Sequence, residues 1–515
     1  MKLIHVVCAL VALYGTAFSA TIYVPDNFPT IQNAINASVN GDTVIVRPGT
    51  YLENIDFVGK AVTVTSEKGA EETTIARVTN GISIVTFKSG EGTGSVLNGF
   101  RITNGICDRG GGIRCIGSSP SLTNNIIVLN EAHTSDGRGG GIYCRNSDPL
   151  IRHNIIESNF AWGGAGIYCE MSSPVIDGNL IFLNQAMVLD AKGGSGGPAG
   201  SRNRPQYRTA FPLRSHAGTG GKMTVWGLGG GIYCTGGRPL IVGNRIVKND
   251  CAEAGAGIYC GKATVFISGN TIDSNRCFYH YGGGGICCDE SNLTVVNTIL
   301  WGNHLYTWPE IWITMWRLPS ICKISYSDVD GGHSSCWVEP GCTLDWGSGM
   351  INADPLYADR AGNDLHLTWP SPCRNTGDSS AVVGHYDFEG DPRVVDTVDM
   401  GADEFYYHLY SVGDVLPGAS ITIKVVGIPG LPALLALGTA IQDPPFPTPQ
   451  GKLWLKLPLA KSWLLGSIPG DGIRTHDAPV PSGWPSGSTH PFQALVGPWG
   501  CVSSSLTNLH VLTVK

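Results

Sequence analysis

Two columns of residues in this chain have the types and spacing to do chemistry. Six times between Gly110 and Cys288 a glycine run closes on Ile-x-Cys. The copies are Gly-Ile-Arg-Cys ending at Cys115, Gly-Ile-Tyr-Cys ending at Cys144, Cys169, Cys234 and Cys260, and Gly-Ile-Cys-Cys ending at Cys288. Thiols at one recurring position raise the question of metal or redox work. The residues between Ile and Cys form the second column: Arg114, Tyr143, Tyr168, Tyr233, Tyr259 and Cys287. Ile and Cys one residue apart share a strand face, so if they point inward the residue between them points outward. Stacked tyrosines offer flat apolar faces with hydroxyls, suited to sugar rings or a partner protein. Tyr143, Tyr168, Tyr233, Tyr259 and Arg114 are therefore the candidate carbohydrate-binding residues. The competing reading is a ladder held by like-on-like stacking, with no ligand.

For the cysteines the packing reading is the stronger. In an in-register parallel stack, Cβ atoms lie about 4.8 Å apart, beyond the roughly 3.5–4.5 Å of a disulfide. The spacing lacks the Cys-x-x-Cys pairs of zinc sites. Buried cysteine behaves as a small apolar filler.

Acid and base chemistry has scattered candidates: Asp108, Arg109, Asp136, Arg138, Asp148, Arg152, His153 and Glu157. Hydrolases need paired carboxylates at a defined separation. Lyases need acidic calcium ligands and a base that removes a proton beside a carboxylate. None of these residues forms such a motif, and catalytic residues stay unassigned. Asp387, Glu389, Asp391, Asp396, Asp399, Asp403 and Glu404 cluster late in the chain. Calcium is one reading of this cluster, with Asp399, Asp403 and Glu404 as candidate ligands; the alternative is carboxylates that cap turns. No other cofactor is implied. Cys336 and Cys342 share one Gly- and Pro-bearing loop and are the candidate disulfide.

The elements that must position these columns are repeats. Successive isoleucines of the motif (Ile113, Ile142, Ile167, Ile232, Ile258, Ile286) lie 29, 25, 65, 26 and 28 residues apart, the long gap being one repeat swollen by an insertion. Each motif is followed by a turn, a strand, and an asparagine: Asn125, Asn154, Asn179, Asn244, Asn270 and Asn297. Ile127, Ile156, Ile181, Ile246, Ile272 and Ile299 follow two residues on. A second asparagine column comes next: Asn130, Asn159, Asn184, Asn249 and Asn275, with Asn303 one residue late. Ala132, Ala161, Ala186, Cys251 and Cys277 close the coils. Self-similarity at this period means a stacked array, and short strands between Gly and Asn turns make it a parallel coil.

Gly-Gly-x-Ile paired with Ile/Phe-x-x-Asn resembles the repeats of polymorphic outer-membrane proteins. More broadly it resembles right-handed parallel β-helix proteins of the pectin-lyase-like superfamily. Pro29-Thr30-Ile31-Gln32-Asn33-Ala34-Ile35 and Gly41-Asp42-Thr43-Val44-Ile45-Val46 look like that superfamily's helical cap and first coil. Ser325-Tyr-Ser-Asp-Val-Asp and Val398-Asp-Met-Gly-Ala-Asp-Glu-Phe405 resemble the closing coils of secreted bacterial members. The resemblance implies an all-β, right-handed parallel β-helix solenoid over residues 20–405: cap and first coils at 20–105, regular repeats at 106–304 with an insertion at 190–228, closing coils at 305–405. Residues 406–515 lose the repeat, gain proline and read as a small all-β, sandwich-like unit.

Lys2, the apolar run Leu3–Tyr14 and Ala17-Phe18-Ser19 read as a signal peptide over residues 1–19, too short to span a bilayer. The expectation is a secreted or cell-surface chain with no transmembrane segment after cleavage. A net charge of −7 over 515 residues gives no support to nucleic-acid binding. The basic insertion, with Arg202, Arg204, Arg208 and Arg214, reads as a solvated loop, the alternative being a basic arm for an anionic polymer. The functional expectation is a non-catalytic protein that binds polysaccharide or a cell-surface glycan, or acts in adhesion. A polysaccharide lyase or hydrolase and a purely structural element are the alternatives.

Overall fold

The computed structural model describes residues 19–132, 136–190, 224–278, 282–303, 309–384 and most of 386–513. The signal-peptide reading, most of the insertion, and Glu389, Asp391 and Asp396 lie outside the described residues. The chain winds as a parallel β-solenoid of about 11 turns. Each coil lays one strand on each of three faces, giving parallel sheets of 12, 10 and 10 strands whose order follows the chain. The first sheet runs from Thr21–Val24 to Thr343–Trp346, the second from Gly49–Leu52 to Asp328–Val329, and the third from Ile55–Asp56 to Cys336–Val338. A narrow fourth ladder joins Phe160–Ala161, Gln185–Ala186, Asp250–Cys251 and Arg276–Cys277. The helix Ile31–Ala37 closes the first end, its N-cap Thr30 accepting from the Asn33 amide at 3.1 Å and its Ile31, Ala34 and Ile35 buried.

The Ile-x-Cys motifs form the third sheet in the register their alignment implies, Ile113 on Ile142 and Cys115 on Cys144, through to Cys260 on Cys288. All six cysteines are fully buried. Phe87 precedes them in the column and Ile313 follows, so the position takes whatever apolar side chain fills it. Neighbouring thiols and burial hold Cys144, Cys169 and Cys234 well above the ordinary thiol range. They are protonated filler, since thiolates are what metals and electrophiles need.

Two buried asparagine ladders fix the register. At the first corner each Asn Nδ2 donates to the next Oδ1: Asn125 to Asn154 at 3.1 Å, Asn154 to Asn179 at 3.0 Å, Asn179 to Asn244 at 2.9 Å and Asn244 to Asn270 at 3.0 Å. The second runs Asn130, Asn159, Asn184, Asn249, Asn275, Asn303. Glu310 ends it, accepting from the Asn303 backbone and side-chain amides, both at 2.8 Å. Every ladder Oδ1 also takes a backbone N–H of the preceding coil, as Asn154 does from Asn125 at 3.0 Å.

The sequence alignment slips by one residue in the last repeat. Thr298, not Asn297, occupies the ladder, its hydroxyl accepting from the Asn270 amide, and Leu300, not Ile299, pairs with Ile272 in the core. Asn297 takes the left-handed corner (φ 52°) that Asn124, His153, Gly178, Gly243 and Gly269 hold in earlier coils. Asn303 then falls into line, three residues after Leu300.

The insertion leaves the solenoid through an antiparallel pair, Val188–Asp190 with Thr224–Trp226. The coils stop earlier than 405. Beyond Thr343–Trp346 the chain turns back along the outside of the second sheet, where Leu367, Cys373 and Met400 bury the outward Ile299. Arg360 ties this flap down, donating to the Asp273 carboxylate at 3.0 Å and to the Trp301 carbonyl at 3.2 Å. After residue 409 the strands are antiparallel, and two sheets share one apolar cluster built on Ile421, Ile423, Leu435, Phe492 and Ala494.

Asn154→Ala leaves the Asn125 amide unsatisfied in the interior and interrupts the ladder. Stability is expected to fall by about 2–4 kcal/mol in urea unfolding. Asp328, fully buried under the flap, accepts from the Ala353 amide at 3.2 Å and the Cys373 thiol at 3.3 Å, and burial pushes its pKa up to about 6. A raised carboxyl favours folding while protonated, so stability falls as pH rises from about 4 through about 6. Asp328→Asn is expected to remove that slope, stabilising the fold by on the order of 2 kcal/mol at pH 8 and leaving it unchanged near pH 4.

Candidate functional site

The outward face of the third sheet carries the tyrosine column and a network of ion pairs. Register places Thr86, Arg114, Tyr143, Tyr168, Tyr233, Tyr259, Cys287, Trp312 and Trp337 in one line. The tyrosine rings stack at centroid separations of 5.7, 4.5 and 4.7 Å. Trp312 and Trp337 follow at 5.9 Å.

Pointing away from the bore does not expose the tyrosines. Tyr143, Tyr168 and Tyr259 are 0, 2 and 8% exposed. A lateral strip, joined coil to coil through Arg109, Arg138, Gly163, Leu228 and Ala254, lies over them. The Arg109 guanidinium sits 5.8 Å above the Tyr143 ring and that of Arg138 5.2 Å above Tyr168. Gly163 passes so close that a Cβ there would lie 3.3 Å from Tyr168. Leu228 and Ala254 pack with Tyr233 and Tyr259. The ring faces that the sequence offers to a sugar are thus occupied by the protein itself. At the far end of the line the Trp337 indole is 54% exposed. Trp316, in the turn after Ile311–Thr314, is 82% exposed.

The polar rims of the tyrosines are engaged. The Tyr143 hydroxyl donates to Glu170 Oε2 at 2.6 Å and accepts from Arg109 at 3.3 Å; the Tyr259 hydroxyl donates to Asp289 Oδ2 at 2.7 Å. Burial raises the pKa of all four phenols, that of Tyr233 to about 12. Asp136 bridges Arg109 at 3.0 Å and Arg138 at 2.9 Å, and Arg138 reaches Glu170 at 3.2 Å. Arg109, Asp136 and Arg138 from the acid–base candidates therefore meet here, joined by Glu170. The others do not: Asp108 is exposed, its backbone carbonyl accepting from the Arg138 amide at 3.0 Å, Arg152 pairs with Asp177 on the first sheet, Asp148 accepts from the Ser173 amide, His153 forms a corner and Glu157 lies on the second sheet. Arg114 lines a separate cavity of about 200 Å3 with Lys88, Thr86 and Ser83.

The late acidic residues cap backbone. Asp399 accepts from the Asn375 and Phe405 amides, both at 2.6 Å, Asp403 from Leu367 at 2.9 Å and Glu404 from Asp399 at 2.9 Å. Cys336 and Cys342, the candidate disulfide, stand as two separate thiols. Cys336 ends the third sheet and Cys342 precedes the last strand of the first, and both pack against the open end of the core. The residues missed in the sequence are Trp312 and Trp337. Their signal was the motif in degenerate form, Ile311-Trp312-Ile313 and Cys336-Trp337-Val338.

No family model and no curated protein matches the chain. Among solved structures, pectin methylesterase in complex with a hexasaccharide aligns at 10% identity over 60% of this chain and 79% of that one, with a TM-score of 0.21. A mutant of pectin methylesterase with another hexasaccharide aligns at 11% identity over the same shares, with a TM-score of 0.19. Superpositions this loose carry no argument about activity.

Tyr168→Ala empties a space closed on both faces and is expected to cost about 3–5 kcal/mol in denaturant unfolding, a stability defect first and a binding defect second.

Proposed function

We propose that this chain is an extracellular polysaccharide-binding protein and that sugar rings stack where its aromatic column leaves the protein, on Trp337. The supporting observation is the change along one column. Its aromatic residues are sealed in the middle of the solenoid and open to solvent at the end, with Trp337 54% exposed. An indole face held by a strand is pre-ordered, so stacking a pyranose on it costs little side-chain freedom. The charged strip of Arg109, Asp136 and Arg138 lies beside the same face and supplies hydrogen bonds to a longer chain.

A polysaccharide-cleaving enzyme is the second reading, and one observation favours it: the carboxylates of Asp136 and Glu170 converge on Arg138. Both are committed there as acceptors for guanidinium N–H groups, which supports binding over proton donation.

A glycan array probed with the intact protein tests the proposal. Trp337→Ala is expected to weaken binding of the best ligand about tenfold with stability little changed. Undiminished binding by that variant contradicts the assignment. Release of reducing or unsaturated ends from any bound polymer would transfer the case to the enzyme reading.

A further inference from the structure

We infer that Cys251 and Cys277 form a modification site, a thiol pair that oxidises to a disulfide joining one coil of the solenoid to the next. Their sulfurs lie 2.9 Å apart. That is closer than non-bonded carbon atoms pack, about 3.5–4.0 Å, and within an ångström of a bonded pair at about 2.0 Å. The residues are direct partners in the narrow fourth ladder.

Their column differs from the Ile-x-Cys column in a way that matters. There the run of cysteines begins next to Phe87 and ends next to Ile313, so a larger side chain is ordinary. Here the preceding partners are Ala161 and Ala186, and Ala132, Ala165 and Ala256 complete the cluster. Two sulfurs sit in successive layers of a space otherwise filled by methyl groups, and the two residues are 0 and 1% exposed. The strands are only two residues long, Asp250–Cys251 and Arg276–Cys277. The in-register spacing that keeps the third-sheet thiols apart must close slightly here, and in two-residue strands few ladder hydrogen bonds resist that approach. The residues just before the cysteines clamp the strands together, Arg276 donating twice to the Asp250 carboxylate, both bonds at 2.9 Å.

The chemistry is thiol–disulfide exchange with a small disulfide such as oxidised glutathione. One protein thiolate attacks the oxidant, forming a mixed disulfide and releasing one glutathione thiolate. The second protein thiolate then attacks the mixed disulfide and releases the other. Two protein thiols and one oxidant disulfide thus become one protein disulfide and two reduced glutathiones. The oxidant meets this pair while the coils are docking, before the cluster closes.

The test uses the full chain refolded with oxidised glutathione, alkylated under denaturing conditions without reduction, and digested. The expected result is a single cross-linked species joining the Cys251 and Cys277 peptides, with Cys115, Cys144, Cys169, Cys234, Cys260 and Cys288 fully alkylated. The oxidised protein should also melt a few degrees above its reduced form. A variant carrying Cys251→Ala and Cys277→Ala restores the alanines of earlier coils and should fold, losing the redox dependence of melting. Alkylation of both Cys251 and Cys277 after oxidative refolding, or their linkage to other cysteines, overturns the assignment.

Discussion

Everything in the solenoid depends on the buried asparagine amides that lock each coil to its neighbours. An asparagine in the interior must satisfy two donors and an acceptor without water. Asn154 does so only because Asn125 lies one coil below and Asn179 one coil above, and because the Leu122 carbonyl accepts from its Nδ2 at 2.9 Å. A coil displaced by one residue would bury an unsatisfied amide and turn every strand side chain to the wrong face. Where the last repeat varies in spacing, the chain changes the residue, Thr298 for asparagine, and keeps the ladder. Register is conserved along the stack at the expense of sequence regularity.

Fixed register turns single residues into columns, and columns acquire roles by where they face. The inward line of Ile and Cys is filler. In the lateral line of alanines two cysteines stand in successive coils with their sulfurs 2.9 Å apart. The outward line of tyrosines stabilises the fold in the middle, under arginines that lie on the rings and share Asp136 and Glu170. Cation–π contact of this kind holds the lateral strip down without filling the sheet face with aliphatic bulk. The same line reaches solvent at its end, where Trp337 is 54% exposed.

Much of this was legible in the sequence, and what was not has identifiable causes. Strand alternation told which side of its own strand Tyr168 takes, and it was right. It could not tell what another stretch of the same coil, at Gly163, lays across that side. Cys336 and Cys342 are close in sequence, but a corner of the solenoid lies between Cys336, on the third sheet, and Cys342, just before the last strand of the first. Asn297 matched its column by type, yet the left-handed corner accepts asparagine too, and one shifted residue exchanged the two roles. Trp312 and Trp337 went unread because the motif was defined by its cysteines, which the column does not require.

The most direct measurement is hydrogen–deuterium exchange of the full chain with and without the tightest-binding oligosaccharide. The account predicts new protection in the segments that carry Trp312 and Trp337, with the middle of the third sheet already slow and unchanged. Protection confined to another face of the solenoid or to the strands beyond residue 409 would contradict it.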